Sequence, residues 1–228
     1  MKILALDSAL SSCSAAVIED GKLLCELYED RMRGQAERLI PMCREACDTA
    51  GLPFGDMDAL AVTCGPGTFT GVRIGLAAAK GLALALNIPL IGLTTLEVVA
   101  QNAVVAGLEG RIAVAHDARR GEVYLQIFEV ADGGALAITD PAAVPLADVA
   151  AKLSAVRAVV GTGVELIRRF LPAILFPDIA AQPNAGIIGQ MAYDRWHIGE
   201  KPAAVMPLYL RAPDAVAAKP VHYPFQNP

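Results

Sequence analysis

"KILALDSALSSCSAAVIEDGKLLCELYE" (residues 2–29) holds three strand patterns and two turns. "KILALD" (2–7) is an apolar run of buried-strand type, and it is followed by small polar residues. "CSAAVIED" (13–20) is a second strand, and the Asp20-Gly21 pair after it signals a tight hairpin. "KLLCELYE" (22–29) returns as a third. The chain therefore opens with a short-turned antiparallel meander.

Downstream the pattern changes. "GQAERLIPMCREACDTAG" (34–51) has Ala36, Leu39, Ile40, Cys43, Ala46, Cys47 and Ala50 at helical spacing. Pro41 is expected to disturb its first half, and Gly51 with Pro53 to end it. "MDALAVTC" (57–64) is a fourth strand, a helix is predicted over 70–87, and "IPLIGL" (88–93) is a fifth strand. "TTLEVVAQNAVVAG" (94–107) is a helix capped by Thr94 or Thr95. A doubly wound fold would alternate strand and helix from its start. Three antiparallel strands followed by parallel crossovers predict a ribonuclease-H-like half instead.

A second, roughly similar series follows. "RIAVAHDA" (111–118) and "EVYLQIFEV" (122–130) are strands joined through Arg119-Arg120-Gly121, and "ALAITD" (135–140) is a candidate third. Helices are predicted over 146–155, 163–171 and 185–199, and a strand over 156–161. "PLYLRAPDA" (207–215) is extended, and the tail is proline-rich. The boundary between the series falls near 107–110. The expected fold is α/β: two ribonuclease-H-like halves of the actin-like ATPase superfamily, with mixed sheets flanked by helices. Residues 1–108 form the first half and 109–228 a smaller second one, whose C-terminal segment can pack back on the first.

Of the 228 residues, 54% are apolar but only 5% aromatic, so the core is built from Ala, Val, Leu and Ile. A net charge of −5 argues against holding nucleic acid alone, because phosphate binding is dominated by Lys and Arg. Cys13, Cys25, Cys43, Cys47 and Cys64 are odd in number and match no zinc spacing, which reads as reduced, buried thiols. The N-terminus lacks the pattern of a signal peptide, and Lys80 interrupts the best apolar run, so no membrane association and a cytoplasmic location are expected.

"CGPGTFTGVRIGLAAAKGLALALN" (64–87) raises the question of a phosphate loop. A dinucleotide fingerprint needs a glycine where Thr70 stands, and a P-loop needs a Gly-Lys-Ser or Gly-Lys-Thr that does not occur. A degenerate anion or nucleotide loop would use Asp7, Ser8, Gly65, Gly67 and Thr68; otherwise Thr68 or Thr70 simply caps the helix. In the helix, Gly71, Gly75, Ala79 and Ala83 recur every fourth residue, a stripe of small side chains suited to close helix approach. The remaining faces are apolar too, so a cover is expected from helix 34–51 or from a second subunit. Elsewhere Asp7 could hold a metal-bound water or cap the turn through Ser8–Ser11. His116, His197 and His222 are scattered, giving no metal site, and no Gly-x-Ser-x-Gly elbow occurs.

"ILALDSALSSCSAAV", "ERLIPM", "GPGTFTGVRIGLAAAKGLA", "DARRGEVY" and "PLYLR", in this order, closely resemble the dimerization subunit of the bacterial tRNA threonylcarbamoyladenosine complex. The resemblance is strong over residues 1–130 and weaker over 131–211. It implies the actin-like fold and a non-catalytic scaffold that activates its paralogue, the threonylcarbamoyl transferase. Two metal-binding histidines of that paralogue correspond by position to Thr95 and Val99, which lack the donors for the task. "GTGVE" (161–165) and "AGIIGQMA" (185–192) are poor copies of its adenosine loops, so no cofactor and no catalytic residue are expected.

The resemblance further implies pairing through helices 34–51 and 70–87, with Leu39, Ile40, Cys43, Gly71, Arg73, Gly75, Leu76, Ala79, Lys80 and Ala83 as contact residues. The partner would be the transferase paralogue, or a second copy of this chain when it is alone. An ATPase subunit would join them, and tRNA would be met only through the complex. The complex transfers threonylcarbamoyl to N6 of the adenosine beside the anticodon in tRNAs reading codons that begin with adenine. The competing reading is a stand-alone ATPase, small-molecule kinase or protease.

Overall fold

The computed structural model describes residues 1–199 and 204–211. Strands β1 (Lys2–Asp7), β2 (Ser12–Glu19) and β3 (Lys22–Asp30) form the opening meander. Asp20 and Gly21 both take positive φ, 49° and 76°, the geometry of a two-residue turn whose twist suits antiparallel strands. Helix α1 (Gln35–Ala50), β4 (Ala59–Thr63), α2 (Phe69–Leu86), β5 (Leu90–Leu93) and α3 (Thr95–Val105) follow. The first sheet has the order β3-β2-β1-β4-β5, with β1, β4 and β5 parallel. This is the ribonuclease-H-like arrangement that the sequence predicts.

The second sheet repeats the theme. Strands β6 (Gly110–Arg119), β7 (Glu122–Ala131), β8 (Gly134–Ala137) and β10 (Ala158–Val160) have the order β10-β6-β7-β8, and β9 (Ala142–Pro145) pairs with β7. Strand β9 has no counterpart in the sequence reading. The helices of this half are shorter than expected: α4 spans Val149–Lys152, and α5 spans Val164–Ile167 before a 3-10 turn at Arg168–Phe170. Helix α6 covers Ala185–His197.

Strand alternation assigns the core. Leu4 and Leu6 face α1 and α2, where they meet Leu39, Met42, Cys43, Val72, Leu76 and Ala79. Ile3 and Ala5 face the other way, onto Ala185, Ile188 and Ala192 of α6. Both faces of β1 are covered, which is why the strand is apolar without alternation. The helices also cross between halves. Leu96, Val99, Ala100 and Ala103 of α3 pack on Ile112, Val114 and Phe128 of the second sheet, while α6, late in the chain, covers the first. Local sequence carries no sign of this exchange.

Three expectations need correction. Helix α1 runs unbroken through Pro41, whose side faces solvent. Phe69–Leu86 is long and apolar enough to cross a membrane by length and composition, with mean hydropathy 1.4, despite Lys80. It lies instead on the first sheet, with Thr68 as N-cap accepting from the Gly71 N–H. Third, the small-residue stripe faces that sheet. Gly71, Gly75, Leu76, Ala79 and Ala83 of α2, and Leu39 and Cys43 of α1, are all buried within the chain itself. A side chain at Gly75 would lie 3.1 Å from the Ser8 hydroxyl and 3.6 Å from Val62. Small residues permit close approach to a sheet as readily as to a helix.

Candidate functional site

Two places merit attention: the cleft between the sheets and the outer face of α1 and α2. The cleft, about 650 Å3, opens between the C-terminal ends of β1 and β4 and the β6–β7 hairpin. Ser11, Thr68 and Phe69 line it from the first half, and Asp117, Arg119, Tyr124 and Thr162 from the second. The hairpin is set by Arg119, Arg120 and Gly121, with φ of 63°, 56° and 76°. Arg119 is held by its N–H on the Asp117 carboxylate (2.7 Å) and by an ion pair to it (3.1 Å).

The glycine turn borders this cleft and packs closely on the β1–β2 loop. The Ala9 carbonyl occupies the space that a side chain at Gly67 would need. The Thr68 N–H donates to that carbonyl (2.8 Å), and the Thr68 hydroxyl caps α2 through the Gly71 N–H (3.1 Å). The Ser8 hydroxyl donates to the Gly71 carbonyl (3.0 Å). Gly65 offers its carbonyl to the Thr95 N–H (2.9 Å). Asp7, Ser8, Gly65, Gly67 and Thr68, the residues expected of an anion loop, lie together at a packed junction of β1, β4 and α2. Its glycines serve close backbone approach.

Asp7 lies beneath this junction and is fully buried. Its Oδ1 accepts from the Thr63 hydroxyl and from the Ala9 N–H (3.2 Å). Oδ2 and the hydroxyls of Ser12 and Ser14 find no partner among the described residues. Burial dominates the hydrogen bonds and raises the Asp7 carboxyl to about 6. In the unfolded chain a carboxyl titrates near ~3.9. As pH climbs from about 4 to about 6, the unfolded chain releases this proton before the folded chain does, so Asp7 removes stability across that window. Asp7→Asn keeps an oxygen for Thr63 and Ala9 and removes the charge. It is expected to stabilise the fold at pH 8 by about 1–3 kcal/mol and to change little near pH 4. Denaturant unfolding at the two pH values checks this; a variant less stable at pH 8 would mean that the carboxylate is favourably paired. His116, also fully buried, is pushed down to about 4 by desolvation and stays neutral, with Thr162 at 3.3 Å from Nδ1.

At the two positions matched to metal-binding histidines, Thr95 is committed to the Pro66 carbonyl, and Val99 lies in the α3 core. The loop at 161–165 packs on β6 through the Gly163 N–H to the Ala115 carbonyl (2.8 Å). The stretch 185–192 is the body of α6.

The outer face of α2 is of a different kind. Only 33% of the 18-residue apolar helix is buried. Arg73, Ala77, Lys80, Gly81 and Ala85 are exposed, Ile74 and Ala78 half-buried, and Leu84 is 84% exposed. On α1, Ile40 and Pro41 line an open hollow of about 450 Å3 with Arg44, Glu45, Asp48 and Thr49. Of the contact residues that the sequence suggested, only Ile40, Arg73 and Lys80 reach this surface. Ile74, Ala77, Gly81 and Leu84 share this face and were not among the suggested residues.

Comparison with known proteins agrees with this architecture. A family model described as TsaD, tRNA N6-adenosine threonylcarbamoyltransferase, matches residues 29–193. The tRNA threonylcarbamoyladenosine biosynthesis protein TsaB of Escherichia coli is 41% identical over 134 residues, which span 59% of this chain and 58% of that protein. An uncharacterized protein of Mycobacterium tuberculosis is 34% identical over 215 residues, 93% of each chain. Among solved structures, YeaZ from Pseudomonas aeruginosa superposes with a TM-score of 0.83 at 34% identity, covering 92% of this chain and 99% of that one.

Proposed function

We infer the function from one premise: the chain belongs to the tRNA N6-adenosine threonylcarbamoyltransferase family, in its TsaB/YeaZ-type branch. Its role is in tRNA threonylcarbamoyladenosine synthesis, as a non-catalytic subunit that docks on the transferase paralogue and activates it in the cytoplasm. The observation that carries this reading is the uncovered outer face of α2. A helix of mean hydropathy 1.4 that buries a third of its length leaves an apolar surface whose covering favours association. Leu84, Ala77, Ala78 and Ile74 supply the apolar contact, and Arg73 and Lys80 supply charge at its rim. The same face would join two copies of the chain when the paralogue is absent.

The chemistry of Thr95 and Val99 supports the division of labour. One is a hydroxyl already spent on a backbone carbonyl, and the other is a hydrocarbon in the core. The transferase would supply the metal and the reaction at N6 of the adenosine beside the anticodon; this chain would hold it in its active arrangement.

Reconstitution tests this. The purified transferase paralogue, the ATPase subunit, an activated threonylcarbamoyl donor and unmodified tRNA are combined with and without the chain. Modification is expected to rise tenfold or more when the chain is added, and the chain without the transferase should modify nothing. Transfer by this chain alone, or full activity in its absence, would sink the proposal.

A further inference from the structure

Residues 204–211 run across the molecule without regular secondary structure. They begin beside β5, where Val205 covers Gly92, and the Leu208 N–H donates to the Cys64 carbonyl at the end of β4 (2.7 Å). Tyr209 then reaches the first turn of α2. Its hydroxyl accepts from Arg73 Nε (2.8 Å), its ring stacks on Phe69 at 5.8 Å, and the Arg73 guanidinium lies 3.6 Å above the Phe69 ring. Arg211 crosses to the second half, donating to the Ala118 carbonyl (3.2 Å) and pairing with Glu122 (3.1 Å) at the β6–β7 hairpin. Leu208, Tyr209, Leu210 and Arg211 form one wall of the cleft.

We propose that residues 204–211 are a latch that ties the two halves together across the cleft, and that opens without unfolding either core. Three observations support this. The latch touches both halves, through Cys64 and Arg73 on one side and Ala118 and Glu122 on the other. No residue in it is fully buried, Met206 and Tyr209 are 65% and 42% exposed, and Val205 is its one residue packed against a core cluster, so its release uncovers little core. Its aromatic anchor sits on Phe69 and Arg73, at the N-terminal end of the helix whose outer face is the proposed docking surface. Closed, the latch walls the cleft. Open, it exposes the cleft and frees Phe69 and Arg73. The proposal concerns the isolated chain and stands whether or not the transferase is its partner.

Cys64 reports on the latch. It is the one half-buried cysteine; the other four are buried. Its backbone carries the Leu208 hydrogen bond, and burial raises its thiol to about 11. Native protein is treated with excess maleimide at pH 8, and the labelled cysteines are located by mass spectrometry over time. Cys64 is expected to react alone. Tyr209→Ala combined with Arg211→Ala should accelerate its labelling at least tenfold while the other four thiols stay protected. If the five thiols react together, or if the folded double variant labels at the native rate, the latch is refuted.

A second variant keeps the test independent of that substitution. A Cβ built on Gly92 lies 3.5 Å from Val205 Cβ, within the ~3.5–4.5 Å that disulfides span. Gly92→Cys with Val205→Cys should therefore form a staple. Oxidised, it should slow amide exchange of residues 116–124 relative to the reduced form of the same variant. Equal exchange in the two redox states would overturn the proposal.

Discussion

Gly71→Ala is expected to cost at least about 3 kcal/mol, while Gly81→Ala, ten residues along the same helix, is expected to gain about 0.5–1 kcal/mol. Helix propensity favours alanine equally at both positions, so the difference is entirely tertiary. An added Cβ at Gly71 would overlap the Ser8 carbonyl oxygen and crowd the Ala9 carbonyl and the Thr68 hydroxyl, which caps the helix. Two of these obstacles are backbone, so no rotamer change relieves them. The helix must lift from β1, and the Ser8 and Thr68 hydrogen bonds at the junction go with it. At Gly81 an added Cβ meets nothing within 4 Å. For a chain of this size ~1 kcal/mol moves Tm by roughly 2–4 °C. Gly71→Ala should therefore melt about 6–12 °C early, and Gly81→Ala about 1–4 °C late. Calorimetry on the pair checks both signs. A Gly71→Ala protein as stable as the parent would mean that the junction of α2 with the β1–β2 loop is looser than the structure shows.

That contrast also explains what could be read from the sequence. The meander was legible because its signals are local: strand-length apolar runs, and Asp20-Gly21 at a turn that demands positive φ. The caps were legible to within a residue or two for the same reason: of Thr68 or Thr70 the structure uses Thr68 for α2, and of Thr94 or Thr95 it uses Thr94 for α3, in a reciprocal capping box with Glu97. The neighbours of α2 were not legible. A helix that is apolar nearly all round does not declare which face meets the sheet, and a four-residue stripe of Gly and Ala fits a sheet or another helix equally well. The packing of the glycine turn was not legible for a related reason: the carbonyl of Ala9, from a distant part of the sequence, fills the space a side chain at Gly67 would need.

The second half was read less well because its elements are short and lean on long-range packing. Four residues of α4 are helical where the pattern suggested ten, and α6 crosses to the other sheet. The cleft residues Phe69, Arg119, Tyr124 and Tyr209 come from three separate segments, and no spacing rule joins them. The contacts by which residues 204–211 reach β4 and α2 are long-range and have no local signal.

Leu84→Asp together with Ala77→Asp is expected to separate docking from folding. Both side chains are exposed on the outer face of α2, Leu84 by 84%. Two aspartates there remove nothing from the core, and Tm should stay within about 2 °C of the parent, since surface substitutions usually fall within ~0.5 kcal/mol. At an interface the same changes act twice. They forfeit burial of a leucine, worth about 1.5–3 kcal/mol, and they place carboxylates where water is excluded. A combined loss of about 3 kcal/mol or more corresponds to at least a hundredfold weaker association. Self-association and binding to the transferase paralogue should both fall by that factor, and stimulation of transfer should fall with them. Gly75→Leu cannot serve this purpose, because Gly75 faces Ser8 and Val62 and its enlargement would act through the fold. Sedimentation of the variant, titration against the transferase and a melting curve on the same preparation decide the matter. If the doubly acidic helix binds as tightly as the parent, the docking face lies elsewhere, and the exposed surface of α2 needs another explanation.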